Sequence, residues 1–164
     1  MGLELFEMRF GRGRLALSAM PGLHNSLAHD LAAIVTWRAD LVISLVEQVE
    51  LASAAAADLP ELLHEAGVAW QHFPIRDYDI PDAAGTVSWQ GLCQRALDIL
   101  GGGGRVLVHC RGGCGRSGMV ALKLMVASGL PSGEALSRLR DVRPCAVETD
   151  PQMVWATEGR IHKA

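Results

Sequence analysis

Residues 105–126 leave this chain little choice of fold. Arg105-Val106-Leu107-Val108 is an apolar run of strand character, and His109-Cys110-Arg111-Gly112-Gly113-Cys114-Gly115-Arg116-Ser117-Gly118 follows it. The next stretch, Met119 to Val126, is apolar nearly all round, with Lys123 its one charge. A strand, a tight turn and an all-round apolar helix in that order belong to the middle of an α/β layer structure. Gly112, Gly113 and Gly115 let backbone N–H groups turn inward with no Cβ in the way. Such a nest, ending at a helix N-terminus, is an anion site. The same positive field favours a thiolate, so Cys110 is expected to be more acidic than a free thiol, whose pKa is about 8.5. That would make it a nucleophile at neutral pH. Arg116 can grip two oxygens of a tetrahedral oxyanion with its planar fork, which Lys cannot do.

His-Cys, five residues and Arg-Ser resembles the phosphate-binding loop of the cysteine-dependent protein tyrosine phosphatases. The resemblance implies that Cys110 is the nucleophile. It implies that Arg116 and the loop residues Arg111, Gly112, Gly113, Cys114 and Gly115 bind phosphate. Ser117 can hydrogen-bond the Cys110 sulfur and ease its departure, or cap the first turn. His109 supports the loop and is not needed as a base. A phosphocysteine mechanism also needs a general acid from another loop, and Asp77, Asp79 and Asp82 are the candidates. Pro74-Ile75-Arg76-Asp77-Tyr78-Asp79-Ile80-Pro81-Asp82 is similar to the acid loop of the dual-specificity branch, in particular of its kinase-associated members. Aligned on Pro-Ile-x-Asp, the acid falls on Asp77, with Asp79 as the alternative.

Arg140 to Gln152 resembles the segment that positions the hydrolytic water in this family, which often has glutamine at the places of Glu148 and Gln152. Here the first is a glutamate, and a carboxylate beside a bound phosphoryl anion is repelled. Either Glu148 points away to pair with Arg140 or Arg143, or Gln152 and Asp77 position the water. Cys114 is read as a small hydrophobe packed under the loop, or as a resolving thiol that forms a reversible disulfide with Cys110.

The 164 residues suit one domain, residues 1–164, with its own core. A hydrophobic content of 49% against 20% charged reads as globular. A formal net charge of −3 gives no global attraction to nucleic acid or anionic lipid, so the positive potential must be local. Cys93, Cys110, Cys114 and Cys145 fit a reducing cytosol better than a disulfide scaffold. They also lack a second Cys or His pair at zinc spacing, His162 lying in a terminal segment. No secretory signal is visible, Gly2 is not followed by a favoured myristoylation pattern, and no apolar run reaches the length of a membrane span.

Strands are expected around Gly11-Arg12-Gly13, over 41–46 and over 68–75. Asn25-Ser26 can cap a helix with Leu27, Leu31, Ile34 and Val35 on one face. Residues 47–59 stay ambiguous. A short helix over 59–66 ends at Gly67, residues 77–85 read as a loop, and 87–100 as a helix. Gly101 to Gly104 precede a strand rather than follow one, so they are a connector and no nucleotide cradle. Ser132 and Asp150-Pro151 open the last two helices. The expected fold is α/β, a central mostly parallel sheet flanked by helices on both faces, as the resemblance to dual-specificity phosphatases implies.

The resulting expectation is a cytoplasmic phosphate-monoester hydrolase working through phosphocysteine, with no metal and no organic cofactor. Its substrate would be a phosphorylated protein or peptide, phosphotyrosine first and phosphoserine or phosphothreonine next. Phosphate, vanadate or sulfate would occupy the site; nucleic acid and membrane are not expected partners. A phosphoinositide or small phosphate-ester phosphatase is the alternative within enzymes, disfavoured because Arg111 is the one basic loop residue besides Arg116. A phosphoprotein-binding module without turnover is the alternative outside them.

Overall fold

The computed structural model describes residues 2–158. Among the described residues there are five strands: β1 (Phe6–Phe10), β2 (Gly13–Ser18), β3 (Leu41–Ser44), β4 (Ala69–His72) and β5 (Arg105–His109). They form one sheet in the order β1-β2-β5-β3-β4. The β1–β2 hairpin is antiparallel, and every other pairing is parallel. The helices are α1 (Leu27–Trp37), α2 (Gln48–Ser53), α3 (Leu59–Glu65), α4 (Ala83–Gly101), α5 (Gly115–Ala127), α6 (Ser132–Val142) and α7 (Asp150–Thr157).

Successive side chains of a strand point to opposite faces, and here that alternation divides the interior in two. Leu15, Leu17, Leu41, Ile43, Val106 and Val108 face one core, completed by Leu92 and Leu100 of α4, most of α5, and Leu139 of α6. Ala16, Val42 and Leu107 face the other, against Ile34 of α1 and Leu59 and Leu63 of α3. Both faces of the central strands are therefore covered, as parallel strands require. In α5 every residue from Gly115 to Val126 is buried, Lys123 included. Lys123 is accommodated because its Nζ donates to the Trp155 carbonyl at 2.6 Å and lies 4.2 Å from the centre of that ring.

The parallel register aligns Ser18, His109 and Ser44, so β2, β5 and β3 end at one level. The chains leaving them form the pole where a ligand site is expected in such a sheet.

Some boundaries differ from the sequence reading. α4 starts at Ala83, four residues before the expected 87, because Asp82 Oδ1 accepts from the Gly85 N–H at 2.8 Å and makes that glycine part of the first turn. β4 ends at His72. Val35 stays 42% exposed, and Ile34 is the apolar α1 residue that is fully buried. α7 is capped by Thr149 rather than Asp150, and Pro131 precedes a helix in which Ser132 is already the first residue. The cysteines are not all thiols: Cys114 and Cys145 form a disulfide, while Cys93 and Cys110 stand outside it. This corrects both readings of Cys114, as a packed hydrophobe and as a partner of Cys110. No helix among the described residues is long and apolar enough to cross a membrane, and His162 lies outside them.

Candidate active site

β5 delivers Cys110 to the pole, α5 opens five residues later, and the turn between them is shaped by what its carbonyls do. The Leu45 N–H donates to His109 O and the Met20 N–H to Arg111 O, each at 3.0 Å. Arg143 spans two carbonyls, Nη2 donating to Gly112 O and Nε to Gly113 O, each at 3.1 Å. Cys114 O accepts from Val147 N and Gly118 N. With the carbonyls turned out and satisfied, N–H groups are left to face in; that of Gly113 donates to Cys110 Sγ at 3.3 Å. Gly113 has φ +78, and a Cβ there would meet the Ser18–Ala19 backbone at under 3 Å. Gly118 is equally committed, since a Cβ there would run into Ala146 and Val147.

Cys110 is buried, and its Sγ is 3.3 Å from Ser117 Oγ, a pair in which the hydroxyl donates once the sulfur is a thiolate. His109 is buried beneath. His109 Nδ1–H donates to Cys110 O at 3.1 Å, which leaves Nε2 of the neutral ring to accept from the Ser44 hydroxyl, and Ser44 Oγ accepts in turn from Trp70 Nε1 at 2.8 Å. Burial lowers the His109 pKa to about 4, and the charge of Arg116 works in the same direction against the hydrogen bond to Cys110 O. The ring is neutral at physiological pH and serves as a strut.

Arg116 is 1% exposed. Its Nη1 donates to Glu50 Oε2 at 2.8 Å and to Ile75 O at 2.9 Å, and Nη2 donates to Glu50 Oε1 at 2.9 Å. Nη2 is also 3.3 Å from Asp77 Oδ1, and Nε has no partner among the described residues. Burial works against the guanidinium charge, but the Glu50 hydrogen bonds and the nearby Cys110, Glu50 and Asp77 outweigh it and raise its pKa. Burial likewise opposes the Glu50 charge, yet Arg116, the Glu47 N–H and Arg111 together pull its pKa below the usual carboxylate range.

The loop of residues 76–82, expected to supply the acid, crosses this site. Asp77 is half exposed; its Oδ1 faces Arg116 and accepts from the Tyr78 N–H. Asp79 directs Oδ1 to the Ile80 N–H instead, and Asp82 caps α4. The geometry therefore brings Asp77, and not Asp79, to the guanidinium. Gln152 is fully buried: Oε1 accepts from the Glu148 and Thr149 N–H groups, and Nε2 donates to Asp79 O at 3.1 Å. It thus ties the start of α7 to the acid loop. Glu148 does not pair with Arg140 or Arg143, contrary to that alternative. Those arginines are engaged by backbone carbonyls, and the Glu148 carboxylate lies over Gly115, where a Cβ would collide with its Oε1.

Two residues of the site were missed from sequence. Glu50 sits in the segment left ambiguous, where the signal available was a glutamate three residues after Glu47, whose N–H it accepts at 2.8 Å. Cys145 had no local signal at all. Among the described residues no group of three or more His, Cys, Asp or Glu could hold a metal ion.

Comparison with known proteins places this geometry. A mouse protein named cyclin-dependent kinase inhibitor 3 is 28% identical over 153 residues, covering 89% of this chain and 71% of its own. A solved structure of kinase associated phosphatase superposes with a TM-score of 0.86 at 22% identity, covering 98% of this chain and 96% of that one. The structure of Tk-PTP in its active form gives a TM-score of 0.73 at 34% identity, covering 94% and 96%. The family model described as "Polymorphic toxin system, DSP-PTPase phosphatase" matches residues 18–130. The chain belongs to that family and is a dual-specificity phosphatase of the cysteine-dependent protein tyrosine phosphatase superfamily.

Proposed function

We propose that Cys110, Arg116 and Asp77 carry out the hydrolysis of phosphorylated protein side chains, phosphotyrosine foremost, in two in-line steps. The Cys110 thiolate attacks phosphorus while Asp77 protonates the leaving oxygen, and the phosphoryl group becomes bonded to sulfur. Asp77, now a carboxylate, then takes a proton from water as the water attacks phosphorus and the sulfur leaves. Arg116 and the N–H groups of residues 111–116 hold the equatorial oxygens throughout. The observation that carries this reading is the state of Arg116: its Nη groups are fixed by Glu50 and Ile75, and its buried Nε–H has no partner among the described residues.

Ser117 supports the second step by donating to the departing sulfur, and His109 supports the loop from below. Gln152 holds the acid loop through its Nε2 and Asp79 O. The charge developed in both steps is met by a guanidinium and backbone dipoles, so the chemistry asks for no metal or organic cofactor. Phosphate and its analogues vanadate and sulfate suit the same nest.

Turnover of p-nitrophenyl phosphate with wild type and Cys110→Ser tests the mechanism: the variant should lose turnover and still bind a phosphotyrosine peptide. Turnover by Cys110→Ser at the wild-type rate would refute it. Rates on phosphopeptides compared with a phosphoinositide panel test the substrate class, and faster turnover of the lipids would overturn the protein assignment.

A further inference from the structure

The α6–α7 connector grips the phosphate loop at three consecutive residues, by three kinds of bond. Arg143 holds the carbonyls of Gly112 and Gly113, the Val147 N–H holds the carbonyl of Cys114, and Cys145 holds the Cys114 side chain through the disulfide. Cys114 is the residue immediately before α5, so it sets where the helix N-terminus and Arg116 begin relative to Cys110. Cys145 is exposed and Cys114 half-buried, whereas Cys110 is 3% exposed.

We propose that Cys145 is a positioning residue for the reaction: its disulfide to Cys114 holds the phosphate loop in its binding shape, and reversible reduction of that bond lowers phosphate affinity and turnover. The proposal rests on residues 110–116 being the phosphate site. A dithiol supplies the two electrons. One of its thiolates attacks a sulfur of the disulfide and forms a mixed disulfide, and its second thiolate closes on the first. Cys114 and Cys145 are left as thiols and the reagent as a cyclic disulfide. The remaining ties from Arg143 and Val147 are non-covalent, so the loop relaxes without unfolding. A misplacement of about an ångström in a catalytic site costs up to about a hundredfold.

The test compares full-length wild type and Cys145→Ala, oxidised and dithiothreitol-reduced, with the state of each cysteine assigned by peptide mass mapping. Orthovanadate affinity and p-nitrophenyl phosphate turnover are measured where circular dichroism shows every form folded. Reduction should weaken vanadate binding and lower kcat/KM by about tenfold, and oxidised glutathione should restore both. Cys145→Ala should sit at the reduced level under either condition. Unchanged affinity and turnover after complete reduction would overturn the proposal. So would a Cys145→Ala enzyme matching oxidised wild type, or the absence of a Cys114–Cys145 link in the oxidised protein. Failure of every form to bind vanadate or turn over substrate would instead strike the phosphatase reading, and this proposal with it.

Discussion

The phosphate loop and the acid loop meet at Arg116 and are built in opposite ways. In residues 109–114 every carbonyl is engaged, by backbone N–H groups, by His109 Nδ1 or by Arg143, and a disulfide is added. In residues 76–81 the bonds within the loop are those of a turn: Asp79 N to Arg76 O, Asp77 to the Tyr78 N–H and Asp79 to the Ile80 N–H. Gln152 of α7 and Arg116 of α5 provide the ties from other elements. Tyr78 sits in the left-handed region at φ +63 and is 63% exposed. A loop that stabilises developing charge gains by being preorganised, whereas one that carries a proton to a leaving group and then to water gains by yielding. On the proposed mechanism, stiffness and compliance follow chemical task.

Replacing the proposed proton carrier should break the comparison most sharply. Asp77→Asn keeps the shape and removes the proton, so kcat is expected to fall about a thousandfold, most for poor leaving groups. Asp79→Asn should leave the rate nearly intact; the reverse pattern in leaving-group kinetics would relocate the acid.

The rigid side should show itself in acid. With His109 at about pKa 4 in the folded chain against 6.5 unfolded, the unfolded state binds more protons between those values. Stability therefore falls as pH drops from 6.5 to 4 and levels off below, by about 3 kcal/mol in all. Urea unfolding across that range should give a shallower decline in His109→Gln. Glu50, whose pKa is lowered below 4.5, contributes stability that is lost at lower pH still.

Glu50→Gln should unfasten one side of the Arg116 fork. Charge balance is lost and so is aim, and kcat/KM is expected to drop by about a hundredfold, with vanadate inhibition weakened in parallel. The smallest effect belongs to Glu148. Its carboxylate lies over Gly115 and repels a bound dianion, so Glu148→Gln should tighten inhibition by inorganic phosphate about fivefold, or about 1 kcal/mol. Unchanged phosphate inhibition would show that the carboxylate does not face the nest.

What could be read from sequence tracks how local the cause is. The strand, the glycine-bearing turn and Arg116 are neighbours along the chain, so spacing alone fixes Cys110 against the anion site. Asp77 was reachable through its Pro-Ile-x-Asp setting. Glu50 was not, because α2 is a six-residue helix with too few turns to show periodicity, and its partner lies 66 residues away. The start of α4 was misplaced because Gly85 reads as a breaker until Asp82 is seen to cap it. Cys114–Cys145 is a pairing across 31 residues, which only the docking of the α6–α7 connector on the loop decides.

The hairpin turn at Gly11-Arg12 and the Gly101–Gly104 connector lie at the far ends of β2 and β5 from Cys110. Gly104 is enclosed by Ile99 and Asp40, whereas Gly11 has open space around it. The molecule thus has an anchoring end and a working end, separated by the length of its strands. A fluorophore, affinity handle or second protein grafted at Gly11-Arg12 would be carried as cargo with the cleft left clear, a practical route to immobilised or tethered forms.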